Sequence, residues 1–259
     1  MTRRLWKRWR TGWRPGGLHR LPTAAGPVRY RVVRADSSDG GLAPALIVGL
    51  HGFGSDERQV ATMLALDLPG PLIYLAPRAS YREGTGYSWF NVSLVSGEPE
   101  PVPASLGAAL RRVAAFSDAA AHAWGADRLC TVLVGYSQGG TLALAASQHE
   151  APALETRPYA AIATVSGGVG TLAPPRVPLF LGVGTLDPLH DAGALAQRVA
   201  TWPKSDVMLS EAAAPHVVTA RHRADLSAWL QPRLADRPRT RTPRQHEASG
   251  AAVCVPTRR

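Results

Sequence analysis

The fold class of this chain is decided by one short stretch of sequence, Leu133-Val134-Gly135-Tyr136-Ser137-Gln138-Gly139-Gly140. The stretch contains the pattern Gly-x-Ser-x-Gly between a β-branched apolar run and an Ala-rich run that favours a helix. A sharp turn from strand to helix leaves no room for a Cβ atom at Gly135 or Gly139, and it exposes the side chain of Ser137 at its tip. Because such turns occur in parallel sheets covered by helices, the sequence predicts an α/β fold. A plain glycine-rich turn is the alternative, and the flanking strand and helix argue against it.

Short apolar runs alternate with Ala-rich segments along the rest of the chain, which predicts a mostly parallel central sheet with helices on both faces. Strands are predicted at residues 28–34, 46–50, 72–76, 129–134, 159–165, 177–183 and 207–209, of which the first is antiparallel. Helices are predicted at residues 58–66, 104–124, 141–148, 192–200 and 217–230. Residues 77–103 are rich in Gly, Tyr, Ser and Pro and are predicted to be irregular, and loops of that length are usually functional or disordered.

The net charge of +10 is confined to the two ends of the 259-residue chain. Residues 1–20 hold seven basic and no acidic side chains, residues 231–259 hold seven basic and two acidic ones, and the 210 residues between them carry a net −2. We therefore expect a flexible basic extension over residues 1–20, one domain over 21–232 and a disordered basic tail over 233–259. Nucleic-acid binding needs clustered positive charge on a folded face, so no specific nucleic-acid binding is expected.

Trp6, Trp9 and Trp13 stand among the basic residues of the N-terminal extension. An unstructured Arg-rich extension is the interpretation that we favour. The alternative is a segment that contacts anionic membranes weakly, since Trp prefers the membrane interface and Lys and Arg prefer anionic lipid. The extension lacks the apolar core of a secretory signal, and no run of about 18 apolar residues predicts a transmembrane helix. Because Cys130 and Cys254 also make a poor disulfide pair, we expect a cytoplasmic location.

A serine hydroxyl becomes a good nucleophile near neutral pH only beside a base that a carboxylate orients. In α/β enzymes with this serine turn, the chain order is Ser, then Asp or Glu, then His. Asp187 follows the predicted strand at 177–183, at the carboxyl end where open α/β sheets place their sites. Asp191 lies closer to the next helix and fits an N-terminal cap. We therefore select Asp187 as the carboxylate.

Four histidines follow Asp187 in the sequence, and one of them lies where the base belongs. His216 falls in the loop between the last predicted strand and the last predicted helix. His190 shares a loop with Asp187, which places it too near in sequence. His222 lies within the last helix between two arginines, which indicates a solvated face, and His246 lies in the tail. His216 is therefore the predicted base.

A serine nucleophile of this kind needs backbone N–H donors for the oxyanion that forms during attack. The run Leu50-His51-Gly52-Phe53-Gly54 follows the predicted strand at 46–50 and has the form of such a loop. We predict the N–H groups of Phe53 and Gln138 as the two donors. His51 is better explained as a structural histidine that bonds local backbone than as a second base.

Four sequence elements occur in order: Leu50-His51-Gly52-Phe53-Gly54-Ser55-Asp56-Glu57, then Ser88-Trp89-Phe90, then Asp127-Arg128-Leu129 leading to the Gly135 to Gly140 run, and last Pro215-His216-Val217. Together they resemble the phospholipase/carboxylesterase family of α/β-hydrolases, which includes acyl-protein thioesterases and small bacterial carboxylesterases. The resemblance covers about residues 28–230. It implies the α/β-hydrolase fold, a Ser137, Asp187 and His216 triad and the two backbone donors. Pro215 stands where the family commonly has Gly, and Asn91 where an acidic residue is common.

The residues and the resemblance predict a serine hydrolase that cleaves small-molecule carboxylic esters through an acyl-enzyme, as a carboxylesterase or lysophospholipase-like enzyme. An acyl thioesterase and a polyester or feruloyl-type esterase use the same triad and stay open. A non-catalytic binding protein on this scaffold, tethered by its basic tails, is the alternative of another class.

The candidates for the wall of an acyl pocket are aromatic, namely Tyr81, Tyr87, Trp89 and Phe90. Core packing is the alternative interpretation for each of them. No cofactor is expected. No metal site is expected either, because the histidines and cysteines lack H-x-x-x-H or C-x-x-C spacing.

Overall fold

The apolar runs form one eight-stranded sheet in the computed structural model, which describes residues 17–36, 43–95, 98–126, 130–148, 159–168, 174–202 and 206–235. The strands are β1 (Leu18–Leu21), β2 (Val28–Ala35), β3 (Ala45–Leu50), β4 (Leu72–Pro77), β5 (Tyr81–Glu83), β6 (Gly86–Ser88), β7 (Val92–Val95), β8 (Glu98–Pro101), β9 (Thr131–Tyr136), β10 (Ala161–Val165), β11 (Leu179–Gly184) and β12 (Val207–Ala212). The helices are α1 (Glu57–Met63), α2 (Pro103–Trp124), α3 (Gln138–Gln148), α4 (Ala192–Ala200) and α5 (Ala220–Ala235).

The large sheet has the strand order β1-β2-β4-β3-β9-β10-β11-β12. The six strands from β4 to β12 run parallel to one another, and β2 joins β4 in antiparallel pairing. β3, β4 and β9 are buried along their whole length. Strands of parallel sheets are apolar on both faces because helices cover both, which explains their unbroken apolar sequences.

Side chains alternate between two cores on opposite faces of the sheet. Leu46 and Val48 point into a core shared with α2, α3 and α4, whereas Ala45 and Ile47 point into a second core shared with α1 and α5. The mostly parallel sheet with helices on both faces is therefore confirmed.

Residues 77–103 were predicted to be irregular, but they form two small hairpins, β5–β6 and β7–β8. The first hairpin is joined to the loop after β3 by a β-bridge between Ser55 and Tyr87. Its strands are only three residues long, too short to show an apolar period in the sequence. The hairpin matters for function because it holds the loop that contains Phe53.

The first strand begins three residues before the predicted start of the domain, and the last helix ends three residues after its predicted end. β1 begins at Leu18 and pairs with β2, and α5 continues through Pro232 to Ala235. The remainder of both tails lies outside the described residues, together with Trp6, Trp9, Trp13 and the Asp127-Arg128-Leu129 element. Among the described residues, the structure contains no helix that is both long and apolar enough to cross a membrane.

His222 was predicted to lie on a solvated face of the last helix, and this prediction is wrong. The ring is completely buried. Its Nε2 donates to the carbonyl oxygen of Val183 (3.2 Å), and its Nδ1 accepts from the N–H of Thr219 (3.3 Å). His222 lies on the same face of α5 as the buried Leu226 and Trp229, so the charged sequence neighbours gave no guide to the direction of its side chain.

Candidate active site

Ser137 lies at the sharp turn between β9 and α3, as the sequence predicts. Its backbone has a φ of 54°, in the left-handed region that non-glycine residues rarely adopt and that marks functional turns. A Cβ atom on Gly135 would come within 2.1 Å of the Gly139 oxygen, and one on Gly139 within 2.5 Å of the Leu50 oxygen. The two glycines are therefore required for the turn and for its close approach to β3.

The structure brings Ser137, His216 and Asp187 into one hydrogen-bonded line. Nε2 of His216 lies 2.9 Å from Ser137 Oγ, and Nδ1 of His216 lies 2.8 Å from Asp187 Oδ2. The three residues follow β9, β12 and β11, whose carboxyl ends meet at one edge of the sheet. This arrangement can accept a proton from Ser137 on His216 while the carboxylate holds the ring in place.

Asp187 is buried, and its environment favours the ionised form. Burial raises the pKa of Asp187, but hydrogen bonds from the Leu189 N–H (2.9 Å) and from His216 outweigh it and hold the pKa below its ordinary value. The competing Asp191 caps α4, where its carboxylate accepts from the N–H of Ala194 (3.0 Å). The interpretation of Asp191 as a helix cap is confirmed.

His216 is packed between two other rings. The Tyr136 hydroxyl donates to the His216 carbonyl oxygen (2.7 Å), and the two rings lie 5.4 Å apart. The ring of His190 lies 5.5 Å from that of His216 on another side. Burial lowers the pKa of His190. His190 is thus a close neighbour of His216, which sequence spacing alone did not suggest.

The loop after β3 offers one unused N–H beside Ser137. The N–H of Gly52 donates to Gln59 Oε1, and that of Gly54 donates to the Tyr87 carbonyl oxygen. For the N–H groups of Phe53 and Gln138, no acceptor is found within the described residues. A Cβ atom on Gly52 would come within 3.3 Å of the Ser137 Cβ, so this loop lies directly against the serine. Phe53 directly follows Gly52 and Gln138 directly follows Ser137, and the role of their N–H groups as oxyanion donors stays a prediction.

The Gln138 side chain fastens the serine turn to the segment Ser88-Trp89-Phe90. Its Oε1 accepts from the Trp89 N–H (2.9 Å), and its Nε2 donates to the Phe90 carbonyl oxygen (2.8 Å) and to Ser88 Oγ (2.9 Å). Trp89 Nε1 donates to the carbonyl oxygen of His51 (2.8 Å). Sequence reasoning missed this role of the Gln138 side chain, although the two elements that it joins belong to the family resemblance.

His51 is buried and serves the backbone. Its Nδ1 donates to the Gly52 carbonyl oxygen (2.8 Å), and its Nε2 accepts from the Ala79 N–H (3.2 Å). Burial lowers the pKa of His51. The prediction of a structural histidine is confirmed.

A buried ion pair between Glu57 and Arg78 stabilises the loop that follows β3. The guanidinium of Arg78 forms two hydrogen bonds of 2.7 Å with the carboxylate of Glu57, whose side chain is 1% exposed. Arg78 also donates to the Tyr87 hydroxyl (3.0 Å) and lies over its ring. Neither charged residue was identified from the sequence. Glu57 closes the Leu50 to Glu57 element, which was the available signal, whereas Arg78 belongs to none of the motifs.

The four aromatic pocket candidates occupy different environments. Trp89 and Phe90 are buried in the core, Tyr87 is half-buried against Arg78, and Tyr81 is 38% exposed. For Trp89 and Phe90 this fits the core-packing interpretation. A role of Tyr81 or Tyr87 in an acyl pocket stays a prediction.

Large apolar side chains that are close in sequence to Gly52, Asp187 and His216 face solvent. Phe53 is 54% exposed, Leu186 and Leu189 on either side of Asp187 are 67% and 64% exposed, and Val217 beside His216 is 39% exposed. Soluble proteins leave few such side chains clustered at a surface unless they bind something there. The surroundings of Ser137 are thus suited to apolar ligands.

Replacing Gln138 by methionine is expected to lower kcat for the predicted ester hydrolysis about 10²-fold with little change in KM, because the N–H predicted as an oxyanion donor remains but loses its alignment. The free energy of unfolding should also fall, since each buried group left unpaired costs about 1–3 kcal/mol. Steady-state kinetics and urea unfolding measure the two effects. Gln197→Met, on the exposed side of α4, is the control. Equal kinetics in both variants would contradict a positioning role.

The two buried histidines are expected to make the fold sensitive to acid. The lowered pKa values of His51 and His222 keep both rings neutral when folded, whereas the unfolded chain takes up protons below a pKa of about 6.5. The free energy of unfolding should therefore fall as the pH drops below about 6.5, and level off below the folded-state pKa values. Urea midpoints at pH 7.5 and 5.5 measure this loss. The substitution His222→Gln should make the loss of stability between pH 7.5 and 5.5 smaller, whereas His122→Gln, at an exposed position, should leave this loss unchanged. If His222→Gln lost as much stability as the wild type, the His222 ring would not contribute.

A scan against protein-family models and a search of the curated proteins find no match to this sequence. Solved structures do match. A carboxylesterase from Mesorhizobium loti is 20% identical with a TM-score of 0.60, covering 82% of this chain and 98% of that chain. The Bacillus cereus carboxylesterase is 18% identical with a TM-score of 0.61, and the match covers 78% of this chain and 92% of that chain. Zea mays acyl-protein thioesterase 2 is 20% identical with a TM-score of 0.61, and the match covers 80% of this chain and 99% of that chain. The chain therefore has the α/β-hydrolase fold, and its structural neighbours include the kinds of esterase and thioesterase that its sequence motifs resemble.

Proposed function

We propose that this chain is a serine hydrolase that cleaves carboxylic esters through an acyl-enzyme intermediate. The observation that carries the proposal is the pair of hydrogen bonds made by the His216 ring, in which Nδ1 donates to Asp187 Oδ2 (2.8 Å) and Nε2 accepts from Ser137 Oγ (2.9 Å). The strained backbone of Ser137 and the unused N–H groups beside it support the same chemistry. The names of the structural neighbours agree with ester hydrolysis.

In the first half of the reaction, Ser137 Oγ attacks the carbonyl carbon of the ester while its proton passes to Nε2 of His216. The ionised Asp187 keeps the proton of His216 on Nδ1 and stabilises the imidazolium that forms. The bond from the carbonyl carbon to the alcohol oxygen then breaks, and Nε2 gives its proton to the leaving alcohol. The acyl group remains on Ser137.

The negative charge on the carbonyl oxygen is placed between the N–H groups of Phe53 and Gln138. Each such donor typically contributes about 10² to 10³ in rate. In the second half, His216 takes a proton from water, the hydroxide attacks the acyl carbon, and Ser137 recovers its proton as the carboxylic acid leaves.

The exposed apolar residues around Ser137, namely Phe53, Leu186, Leu189 and Val217, support an apolar acyl group of short or medium length. Activity on p-nitrophenyl esters should rise with chain length from acetate, as more apolar surface is buried at about 25 cal/mol per Å².

Covalent labelling tests the proposal directly. A fluorophosphonate probe should label the intact chain at Ser137 alone, as mapped by peptide mass spectrometry, and the labelled protein should no longer hydrolyse p-nitrophenyl butyrate. Absence of labelling, or labelling at another serine with full inactivation, would overturn the assignment. Absence of both labelling and ester hydrolysis would favour the non-catalytic binding protein.

A thioesterase uses the same proposed triad and differs only in the leaving group. Oxoester and thioester substrates with the same acyl chain separate the two, because only the alcohol or thiol changes. A kcat/KM at least tenfold higher for the thioester would make thioester cleavage the main activity.

The cytoplasmic location and the weak membrane contact stay predictions. The contact can be tested by comparing the binding of anionic vesicles by the intact chain and by a chain that begins at Gly17. The truncation stops there because β1 begins at Leu18 and pairs with β2. Equal binding by both chains would contradict a membrane contact through the N-terminal extension.

A further inference from the structure

Asp187, His190 and His216 form a compact set of metal-ligating groups. Each offers one ligand atom, and these atoms all lie within 4.8 Å of one another. The set was not visible in the sequence, because its members come from two loops, one after β11 and one after β12. Spacing rules such as H-x-x-x-H detect only ligands that are close along the chain.

The two loops are tied to each other by backbone hydrogen bonds. The N–H of Thr185 donates to the Ala212 carbonyl oxygen (2.8 Å), and the N–H of Leu186 donates to the Ala214 carbonyl oxygen (3.1 Å). The second oxygen of Asp187 accepts from the Leu189 N–H. Hydrogen bonds of this kind orient the ligands of metal sites, so the three groups are held near one another before any ion arrives.

The chemistry of the set selects a class of ion. Two imidazoles and one carboxylate suit Zn²⁺, Cu²⁺ or Ni²⁺ and do not suit Mg²⁺ or Ca²⁺, which prefer oxygen ligands. Zn²⁺ binds such atoms at about 2.0–2.2 Å, so tetrahedral ligands lie roughly 3.5 Å apart. Ligand atoms that now lie within 4.8 Å of one another need to approach by up to about 1.3 Å, and the 2.8 Å between His216 Nδ1 and Asp187 Oδ2 needs to widen by about 0.7 Å. Zinc sites with three protein ligands usually hold a water molecule in the fourth position.

We propose that Asp187, His190 and His216 bind a divalent transition-metal ion of the zinc type, and that the bound ion blocks the chemistry at Ser137. The ion takes Nδ1 of His216, which faces Asp187, and the single proton of the neutral ring moves to Nε2 through water. Nε2 then donates to Ser137 Oγ and can no longer accept its proton. No bond of the protein is broken, and removal of the ion restores the original tautomer.

Metal binding is measured first without catalysis, because the inhibitory effect rests on the proposed function whereas the binding does not. In a Ser137→Ala background, Zn²⁺ affinity is obtained by competition with a chromophoric chelator. His190→Asn in that background should lower the Zn²⁺ affinity by at least about 10- to 100-fold, because loss of a group that only hydrogen-bonds to a metal ligand already has an effect of that size. The exposed His122→Asn, on α2, should leave the affinity unchanged, and Mg²⁺ should not compete. Equal affinity in the His190 and His122 variants would overturn the site.

Inhibition is then measured with Ser137 intact. Micromolar Zn²⁺ should lower esterase activity, and EDTA should restore it. For each variant, the activity with Zn²⁺ is divided by the activity of the same variant without Zn²⁺, so that differences in basal rate do not affect the comparison. His190→Asn should need at least tenfold more Zn²⁺ for half-inhibition.

If the protein binds Zn²⁺ through His190 but hydrolyses no ester, the proposed function fails and the metal site stands. If Zn²⁺ binds and activity is unaffected, the blocking mechanism is wrong.

Discussion

Replacement of Ser137 by alanine is expected to lower kcat/KM for p-nitrophenyl butyrate by about 10⁴- to 10⁶-fold, since removal of a serine nucleophile leaves only the catalysis due to binding and the oxyanion donors. The fold should persist, because the substitution deletes one half-buried oxygen whose partner is His216 Nε2. Melting temperature and circular dichroism should therefore match those of the wild type. Substrate binding should also persist, so the loss should appear in kcat.

The matched control is Ser93→Ala, which removes an exposed serine hydroxyl on β7. Its activity should equal that of the wild type. If Ser137→Ala retained more than about a tenth of the wild-type rate with a normal melting curve, another group would be the nucleophile, and the mechanism built on His216 and Asp187 would be wrong.

Breaking the Glu57–Arg78 pair is expected to be the most destabilising of the substitutions considered for this fold. Arg78→Met or Glu57→Met should lower the free energy of unfolding by about 3–5 kcal/mol, because each leaves the buried charge of the other residue without its partner. The hydrogen bonds that Arg78 donates to Glu57 are the largest influence on the pKa of Arg78 and raise it, although burial disfavours the charge. Urea unfolding at pH 7 measures the loss.

The double variant Glu57→Met/Arg78→Met should be more stable than either single variant, since a buried pair replaced by apolar side chains of similar size often costs little. Arg221→Met is the control: its pair with Asp225 is exposed on α5 with atoms 3.5 Å apart, and such pairs contribute about 0–1 kcal/mol. A double variant as unstable as the sum of the single variants would show that the charges themselves are needed.

In the double variant, kcat should still fall, because Tyr87 loses the guanidinium that holds the β5–β6 hairpin beside Phe53.

Much of the fold could be predicted because it depends on local patterns. Apolar runs located the strands of the parallel sheet within a few residues, and α4 was predicted with its observed bounds. Gly125, with a φ of 64°, ends α2 where the sequence suggested a stop. The selection of Ser137, Asp187 and His216 depended on the chain order of the sheet, which a sequence can reveal. The structure places Ser137 and Asp187 each within hydrogen-bond distance of His216.

The remaining features depend on contacts between distant parts of the chain. The β5–β6 hairpin is held by its pairing with Ser55, about thirty residues earlier, and no local pattern encodes that. The direction of the His222 ring is set by the sheet beneath α5 and not by the flanking arginines. Gln138 and Trp89 are 49 residues apart. Such groups become visible only when the fold has brought them together.

The position of β12 at the edge of the sheet has a consequence for how this chain acquires and loses activity. Ser137 follows the interior strand β9, but His216 follows β12, which pairs with β11 alone among the strands of the large sheet. Edge strands open and close more readily than interior ones. Mild denaturant should therefore abolish hydrolysis before it changes the circular dichroism of the domain, and during refolding activity should return last. The proposed ester hydrolysis should therefore report the docking of β12, a step that spectroscopic signals averaged over the whole sheet would hardly register.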